Sequence, residues 1–367
     1  MKKPVFIIVL IIIAMATASC KKDKPYDKDD IIQELEDKPI VTKPVVPDNT
    51  KDPDIEIIED NHDGEMRSNL TGLWVPIEIG SKRPLAIQFS NFKTVRNQWG
   101  IGQADIIYEA FVEGGITRLL AIGQSFTGDR IGSIRSSRHY FVSFADEYDA
   151  IYIHFGKTKY AVSKLKDLAI NNLDGESGIG SSVFYRDKSM KAPHNAFTSL
   201  DRILEGIKLK GYNVDHSEDY EPHFRFYEED TVLLDGTDCN KLSIKYNDNK
   251  PYFIYDTEDK LYLRHQFGEI HKDSNTGQQL AFKNIIVQFV KEWDIDKNGY
   301  QTMDIENAEG TGYYISNGKM QEITWKKNEK NKWMRYFNSQ GEELTLNSGK
   351  TYISVYPNNR IKDVVIE

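Results

Sequence analysis

The sequence is poor in cysteine, in excess basic charge and in recognisable catalytic motifs. Cys20 and Cys239 are its only cysteines, which excludes a framework of several disulfide bonds. Asp and Glu number 56 against 47 Lys and Arg, and the net charge of -9 argues against a protein that coats nucleic acid, so no nucleic-acid partner is expected. The HExxH, GxSxG, CxxC and P-loop patterns do not occur, and we therefore predict neither a metal site nor a cofactor.

Long apolar runs are also scarce, and the most prominent one lies at the N-terminus. It extends from Val5 to Ala14, follows two lysines and precedes small residues that end at Cys20, which is the order of a secretory signal peptide. A permanent span needs about 20 apolar residues, so an uncleaved signal anchor is the weaker alternative. The ending Thr-Ala-Ser-Cys resembles the lipobox of bacterial lipoproteins. We therefore predict a signal peptide over residues 1–19 and a fatty acid such as palmitate on Cys20.

Residues 20–68 are predicted to form a disordered tether. Between residues 21 and 60, Tyr26 is the only aromatic residue, five of the 12 prolines occur, and 13 acidic residues outnumber 7 basic ones. Such a segment has too little apolar surface to offset the entropy lost on ordering. Together with a lipid on Cys20, the tether predicts a protein anchored to a bacterial cell membrane on its extracytoplasmic face.

Strands and helices alternate in residues 69–215, which predicts an α/β N-terminal domain. The hydrophobic patterns predict strands over 83–91 and 149–156, and helices over 136–148, 160–169 and 199–209. Residues 104–113 and 116–125 flank Gly114 and Gly115. This pattern favours a β-hairpin, with a helix over 104–113 as the alternative.

Residues 222–367 contain short β-branched and aromatic runs separated by Asp, Asn and Gly turns, which predicts a mainly β C-terminal domain. The charged stretch HSEDYEPH places the boundary between the two domains near residues 212–226. No repeat with a period of 20–50 residues is present, which argues against a solenoid. The predicted order is therefore signal peptide, tether, α/β domain and mainly β domain.

Several long motifs resemble one protein family. The N-terminal segments are PLAIQFSN, GIGQADIIYEAFVEGGITRLLAI, DRIGSIRSSRHYF, DAIYIHFG and FYRDKSMKAPHNAF, and the C-terminal ones are GTGYYISNGKMQEITWKKN and GEELTLNSGKTYISV. Together they are similar to the N-terminal and C-terminal domains of the YerB-type lipoproteins, also called DUF3048. The resemblance covers nearly all of residues 70–357 and implies lipoprotein anchoring and a two-domain architecture outside the cytoplasm. It implies no activity and no catalytic residue.

Basic residues concentrated in two polar loops are the main candidate for a binding site. The two groups are Arg130, Arg135 and Arg138, and Arg186, Lys188, Lys191 and His194. Arg presents a planar fork suited to phosphate or carboxylate, and a helix that began at Ser136 would add partial positive charge at its N-terminus. Loops at one edge of an α/β sheet gather into one crevice. We predict that Arg135, Arg138, Arg186 and Lys188 converge on one concave surface, with His194 at its rim and Asp105 facing it.

Acidic residues supply the main alternatives. Asp105, Glu109 and Glu113 would project from one face of the hairpin, where they form either a solvated surface or a site for a divalent cation or for acid/base chemistry. Together with Asp187 they could instead pair with the arginines in ordinary salt bridges. His154 ends a buried strand, and His194 lies in a polar loop. For both histidines, the simplest interpretation is a structural role. Cys239 lies in a turn-like segment without an activating partner and is predicted to be inert.

Three kinds of function follow from these features. The leading hypothesis is an envelope lipoprotein whose basic cleft binds an anionic component, such as a phosphate-bearing or lipid-linked glycan. The second is a phosphotransferase or hydrolase acting on such a glycan, because Asp105 followed by Arg135 and Arg138 has an order similar to that in LytR-CpsA-Psr glycopolymer transferases. The third is a scaffold that docks a protein of wall synthesis. Whether the protein is an enzyme is left open by the sequence.

Overall fold

The computed structural model describes residues 62–218, 220–328 and 333–367. The predicted signal peptide, Cys20 and nearly all of the predicted tether lie outside the described residues. Within the described residues, none of the helices has the length and apolar character that crossing a membrane requires.

The first half of the described chain mixes strands and helices. Its strands are β1 (Glu65–Arg67), β2 (Trp74–Pro76), β3 (Leu85–Asn91), β4 (Ile106–Phe111), β5 (Thr117–Gly123), β6 (Ile131–Gly132), β7 (Ile151–His154), β8 (Asn172–Asp174), β9 (Tyr185–Arg186) and β10 (Ala196–Thr198). Its helices are α1 (Ile77–Gly80), α2 (His139–Asp146), α3 (Lys159–Asp167), α4 (Gly180–Val183) and α5 (Leu200–Lys210), with short 3-10 turns at Lys93–Val95, Ile101–Gln103 and Glu113–Gly115.

The second half consists of strands apart from one 3-10 segment at Asn358–Asp363. The strands are β11 (Arg225–Phe226), β12 (Thr237–Asp238), β13 (Lys241–Ile244), β14 (Tyr252–Asp256), β15 (Leu261–Gln266), β16 (Glu269–Ile270), β17 (Ala281–Phe282), β18 (Asn284–Val290), β19 (Glu292–Asp294), β20 (Gln301–Met303), β21 (Ala308–Ser316), β22 (Lys319–Lys327), β23 (Arg335–Phe337), β24 (Thr345–Leu346), β25 (Thr351–Pro357) and β26 (Val364–Ile366). The mixed first half and mainly β second half match the predicted fold class.

A mixed sheet of 11 strands runs through the described part of the chain. Its order is β12-β22-β21-β18-β25-β4-β5-β3-β7-β8, with β23 beside β22. The two halves meet where β25 pairs with β4 in parallel, from Thr351 opposite Ile106 to Ser354 opposite Glu109. The predicted hairpin is confirmed, since β4 and β5 pair antiparallel on either side of the turn that contains Gly114.

Strand β4 is buried on both faces, and this explains its nearly continuous apolar sequence. Tyr108 packs in one core with helix α2, and its ring stacks on Phe144 at 4.6 Å between centroids. Ile107 packs in the other core, which lies toward the smaller sheet β16-β15-β14-β13-β26 and includes Phe253 and Phe282. The sheet therefore separates two apolar layers.

Of the five described α-helices, α3 and α5 begin after a residue whose side chain caps the helix, and the other three do not. Helix α5 begins after Ser199, whose hydroxyl accepts from the Arg202 amide, and ends at Gly211 in the left-handed region at φ 64°. Helix α2 instead begins at His139 after Arg138, without a side-chain cap. The helix predicted over 136–148 therefore starts three residues later than expected, because the segment before it is extended: Arg138 has extended backbone angles, and the Ser137 amide donates to the carbonyl of Gly156.

The chain is ordered before residue 69, where the globular region was predicted to start. Strand β1 pairs with β2, and the Arg67 guanidinium donates to the Tyr227 carbonyl at 2.8 Å and to the Ser348 hydroxyl at 3.0 Å. The predicted tether is therefore too long at its C-terminal end, because these distant partners hold β1 in place. The described residues between 62 and 367 form one compact unit, and the domain boundary near residues 212–226 stays a prediction.

Candidate functional site

Four arginines and one histidine lie together near the start of β5, the segment before α2 and the loop between β9 and β10. We call this group the arginine cluster: Arg118, Arg135, Arg138, Arg186 and His194. It contains four of the six side chains that the sequence predicted for the site, and Arg118 in addition.

Arg118 and Arg138 are the buried members of the cluster, with 4% and 7% of their surfaces exposed. Both guanidinium groups donate through Nη1 to the same acceptor, the carbonyl of Ser136. Arg138 also forms a forked ion pair with Glu113 through Nε and Nη2, as the salt-bridge interpretation expected. Two guanidinium groups that share one carbonyl are held close together by the backbone.

Arg135, Arg186 and His194 extend the cluster toward solvent. The Arg135 guanidinium donates to the Pro193 carbonyl at 2.9 Å, which places it beside His194. The Arg186 guanidinium lies 4.2 Å from the centroid of the Phe155 ring, and the Phe155 amide donates to the Arg135 carbonyl. The His194 ring stacks on Phe92 at 4.9 Å. Aromatic contacts therefore orient the Arg186 guanidinium and the His194 ring on this surface.

The pKa shifts of the cluster reflect burial and mutual repulsion. Burial, with the neighbouring Arg138 and Arg135, lowers the pKa of Arg118 to about 9. The pKa of Arg135 is lowered by burial and then by Arg138 and Arg186. Burial and the charges of Arg135 and Arg118 also lower the pKa of His194. An anion among these groups would relieve the repulsion.

Carboxylates compensate only part of this charge. Among the described residues, Arg118, Arg135 and Arg186 form no ion pair, whereas Arg138 is paired with Glu113. The exposed Glu176 lies close to Ser136, whose carbonyl Arg118 and Arg138 share. Both side chains flank Gly156: a β-carbon at that glycine would lie 2.9 Å from Glu176 Oε1 and 3.2 Å from the Ser136 hydroxyl. Arg130 belongs to a separate pair with Asp187, at 2.5 Å.

Lys188 and Asp105 do not join the cluster. Lys188 is exposed, and no contact links it to the arginines in the described part of the chain. Asp105 precedes β4 and accepts from the Gln124 amide at 3.2 Å, whereas Arg118 pairs with Ala110 near the opposite end of that strand. Asp105 therefore lies away from the arginines, although it precedes them in the sequence in the order that resembles glycopolymer transferases.

The prediction of a solvated acidic face on the hairpin is wrong. Glu109 is fully buried and accepts from Asn91, Thr117, Asn249, Arg264 and Tyr352. Burial raises the pKa of Asp105 to about 6, although the Lys350 ammonium opposes the shift. No group of three or more His, Cys, Asp or Glu that could hold a metal ion occurs among the described residues.

His154 and Cys239 are both buried. His154 Nδ1 lies 2.9 Å from the Gly156 carbonyl, and Nε2 lies 3.2 Å from the Asn172 amide oxygen, so both ring nitrogens have partners. Burial raises the pKa of the Cys239 thiol to about 12. These contacts agree with a structural histidine and an unreactive cysteine.

Sequence reasoning missed Arg118, although a signal was present. Arg118 is the one charged residue in β5, whose other members are apolar or small apart from Thr117. A single charge in a strand that is buried along its whole length needs a specific reason, because burying an unpaired charge is costly. That contrast marks Arg118 as a candidate for function.

Two family models match this chain. The N-terminal domain of the family described as "Protein of unknown function (DUF3048)" matches residues 70–213, and its C-terminal domain matches residues 242–353. The arginine cluster lies entirely within the first match.

One curated protein and one solved structure are similar over most of the chain. The protein of Bacillus subtilis (strain 168) named "Putative lipoprotein YerB" is 31% identical over 304 residues, which cover 80% of this chain and 87% of that protein. The crystal structure of YerB from Bacillus subtilis has a TM-score of 0.73 and 30% sequence identity, and the match covers 82% of this chain and 99% of that one.

Proposed function

This chain belongs to the YerB-type family of DUF3048 proteins, and we propose that it is a lipoprotein held on the extracytoplasmic face of a bacterial cell membrane. The name of the Bacillus subtilis relative supports the lipoprotein assignment. The charged, apolar and small residues that lead to Cys20 support processing and lipidation at that cysteine.

The anchor is tested with labelled palmitate in a bacterial host that processes lipoproteins. The wild-type chain should incorporate label, and Cys20→Ala should not. Cys239→Ala is the matched control, because it removes the other cysteine, which is buried in the fold, and should incorporate label normally. Equal labelling of Cys20→Ala, or a mature protein that retains Met1, would contradict the anchor.

The arginine cluster is proposed to bind an anionic component of the cell envelope. The observation that carries this proposal is that Arg118, Arg135 and Arg186 lie together without an ion pair among the described residues. Arg118 is almost fully buried, so solvent screens its charge poorly and an incoming anion interacts with it strongly.

The donor set favours a phosphate-bearing ligand. Guanidinium groups bind phosphate oxygens through two parallel hydrogen bonds, and the arginines here approach from different segments of the chain. Arg135 and Arg186 lie nearer to solvent and would meet the ligand first, whereas Arg118 forms the base of the cluster. A lipid-linked or phosphate-bearing glycan presents such groups, and a protein of wall synthesis that carries this glycan would be the corresponding partner.

Isothermal titration calorimetry with inorganic pyrophosphate at low ionic strength tests the site. A charge-assisted hydrogen bond contributes about 1.5–3 kcal/mol, so Arg135→Ala and Arg186→Ala should each weaken binding about tenfold or more. Lys208→Ala is the matched control, since it removes one exposed positive charge on α5 outside the cluster and should leave binding unchanged. Citrate, titrated in parallel, distinguishes phosphate from carboxylate recognition.

Two results would overturn this proposal. The first is an absence of pyrophosphate and citrate binding to the wild-type chain at millimolar concentration. The second is an equal loss of affinity in Lys208→Ala and Arg135→Ala, which would mean that net charge and not the cluster attracts the anion. Thermal melting of each variant ensures that the comparison is made between folded proteins.

A further inference from the structure

A cavity of about 660 Å³ lies on the other face of the central sheet from Arg118. It opens between the 3-10 turn Ile101–Gln103, residues 278–283 at and around β17, and residues 348–350 before β25. Most of its wall is apolar, and the side chains of this wall include Ile101, Ala104, Ile107, Leu261, Leu280 and Phe282. A cavity of this size accommodates a small organic ligand.

The charged side chains at the base of this cavity are hydrogen-bonded to backbone groups. The Lys350 ammonium donates to the Gly102 carbonyl, and the buried Asp273 accepts from the Gly102 amide at 2.7 Å. Asp273 also accepts from the Asn275 amide at 2.7 Å. The charges of Asp273 and Asp105 both act on Lys350 and oppose the effect of burial, which lowers its pKa. Among the described residues, neither Lys350 nor Asp273 forms an ion pair, so the base carries one buried positive and one buried negative charge that backbone groups hold in place.

The mouth of the cavity is acidic. Glu228, Glu229, Asp230 and Asp259 are exposed along it, and Asp230 is the one of these four that forms ion pairs, to Lys283 at 2.7 Å and Lys260 at 3.1 Å. In the described part of the chain, the other three carboxylates are unpaired. The cavity lining as a whole carries five carboxylates and two lysines. Such a mouth attracts cations and repels anions.

We propose that this cavity binds an amphiphilic amine, with its apolar body against Ile107, Leu280 and Phe282 and its ammonium group among Glu228, Glu229 and Asp259. Burial of the apolar body supplies affinity, and the acidic mouth supplies the preference for a cationic head group. This site is independent of the arginine cluster, because Ile107 and Ala110 point to opposite faces of the sheet and Arg118 lies opposite Ala110.

The test uses three decyl probes below their micelle concentrations: decylammonium, decyl sulfate and decanol. Calorimetry with the full chain should give one decylammonium bound per chain, at least about tenfold tighter than decyl sulfate. The double variant Glu228→Gln with Asp259→Asn should lose this preference, since both residues are exposed and their amides keep the shape of the mouth.

A bulky residue at the mouth shows where the probe binds. Gln278→Trp changes an exposed lining residue and should weaken decylammonium binding at least about tenfold by blocking entry. Val162→Trp is the matched control on α3, where Val162 is exposed outside the cavity, and should bind as the wild type does. Equal affinity for decyl sulfate and decylammonium, or unchanged binding in Gln278→Trp, would overturn the proposal. Pyrophosphate binding should be unaffected by any of these variants.

Discussion

The carboxylate of Glu109 lies 2.6 Å from the guanidinium of Arg264, and their side chains are 0% and 1% exposed. The two residues come from opposite halves of the sequence and meet beneath the junction of β4 and β25. Removing one partner of a buried pair leaves an uncompensated charge, which costs about 3–5 kcal/mol. Glu109→Gln should therefore lower the free energy of unfolding by about this amount in urea melts.

Two comparisons make this prediction specific. Glu322→Gln, on an exposed face of β22 in the same sheet, should change stability by less than about 0.5 kcal/mol. The double variant Glu109→Gln with Arg264→Gln should be less destabilised than the sum of the single variants, because the two charges are removed together. Additive losses would show that the two groups do not stabilise each other.

An isolated fragment of residues 69–215 should not fold on its own. It would expose the β4 edge that pairs with β25 and would bury Glu109 without Arg264. Circular dichroism should show no cooperative melting of this fragment, and mixing it with residues 222–367 should restore the transition. Cooperative unfolding of the fragment alone would instead support an autonomous N-terminal domain. If proteolysis cuts near residues 212–226, the nicked halves should remain associated.

The parts of the fold that the sequence predicted well depend on neighbouring residues. Helix α5 has its Ser199 cap and its Gly211 end within one segment, and the β4–β5 hairpin has its glycines in the turn. The sequence did not predict the pairing of β4 with β25, because no local pattern indicates which distant strands will pair. Glu109 seemed to belong to a solvated face because its partner Arg264 lies 155 residues away in the sequence.

For the candidate site as well, residues that are close in the sequence were predicted correctly, and relationships that depend on the folded structure were not. Arg135 and Arg138 are close in the chain, and β9 and β10 carry the loop with Arg186 and His194 back to them, so local reasoning was sufficient. Asp105 and Glu109 share a face by strand alternation, yet four residues of strand separate them by about 13 Å. Residues that share a face of one strand therefore need not share a site.

Cys239 should resist thiol reagents in the folded protein. Its side chain is buried, and burial raises the pKa of the thiol to about 12, so little thiolate forms at neutral pH. In a Cys20→Ser chain, where Cys239 is the sole cysteine, dithionitrobenzoate should react at least about tenfold more slowly without urea than in urea. Reaction at the same rate in both conditions would show that the thiol is accessible.

Glu292 should make stability depend on pH. Burial raises its pKa to about 7, the nearby Asp294 raises it further while Arg360 opposes the shift, and Glu292 Oε1 has no hydrogen-bond partner. The folded state thus holds the proton more tightly than the unfolded chain, whose carboxyl titrates near 4.5. The stabilising contribution is complete below that value and is lost as the pH rises through about 7.

Glu292→Gln removes this titration while keeping the size of the side chain. Because the variant carries no charge to desolvate, its melting temperature should exceed that of the wild type by about 2–4 °C at pH 8, for about 1 kcal/mol of unfolding free energy. At pH 5 the two proteins should melt within about 1 °C of each other, since wild-type Glu292 is then largely protonated. Glu78→Gln, at an exposed position on α1, is the control and should show the wild-type difference between the two pH values. A constant offset between Glu292→Gln and the wild type at both pH values would mean that the carboxyl group acts through packing and not through its charge.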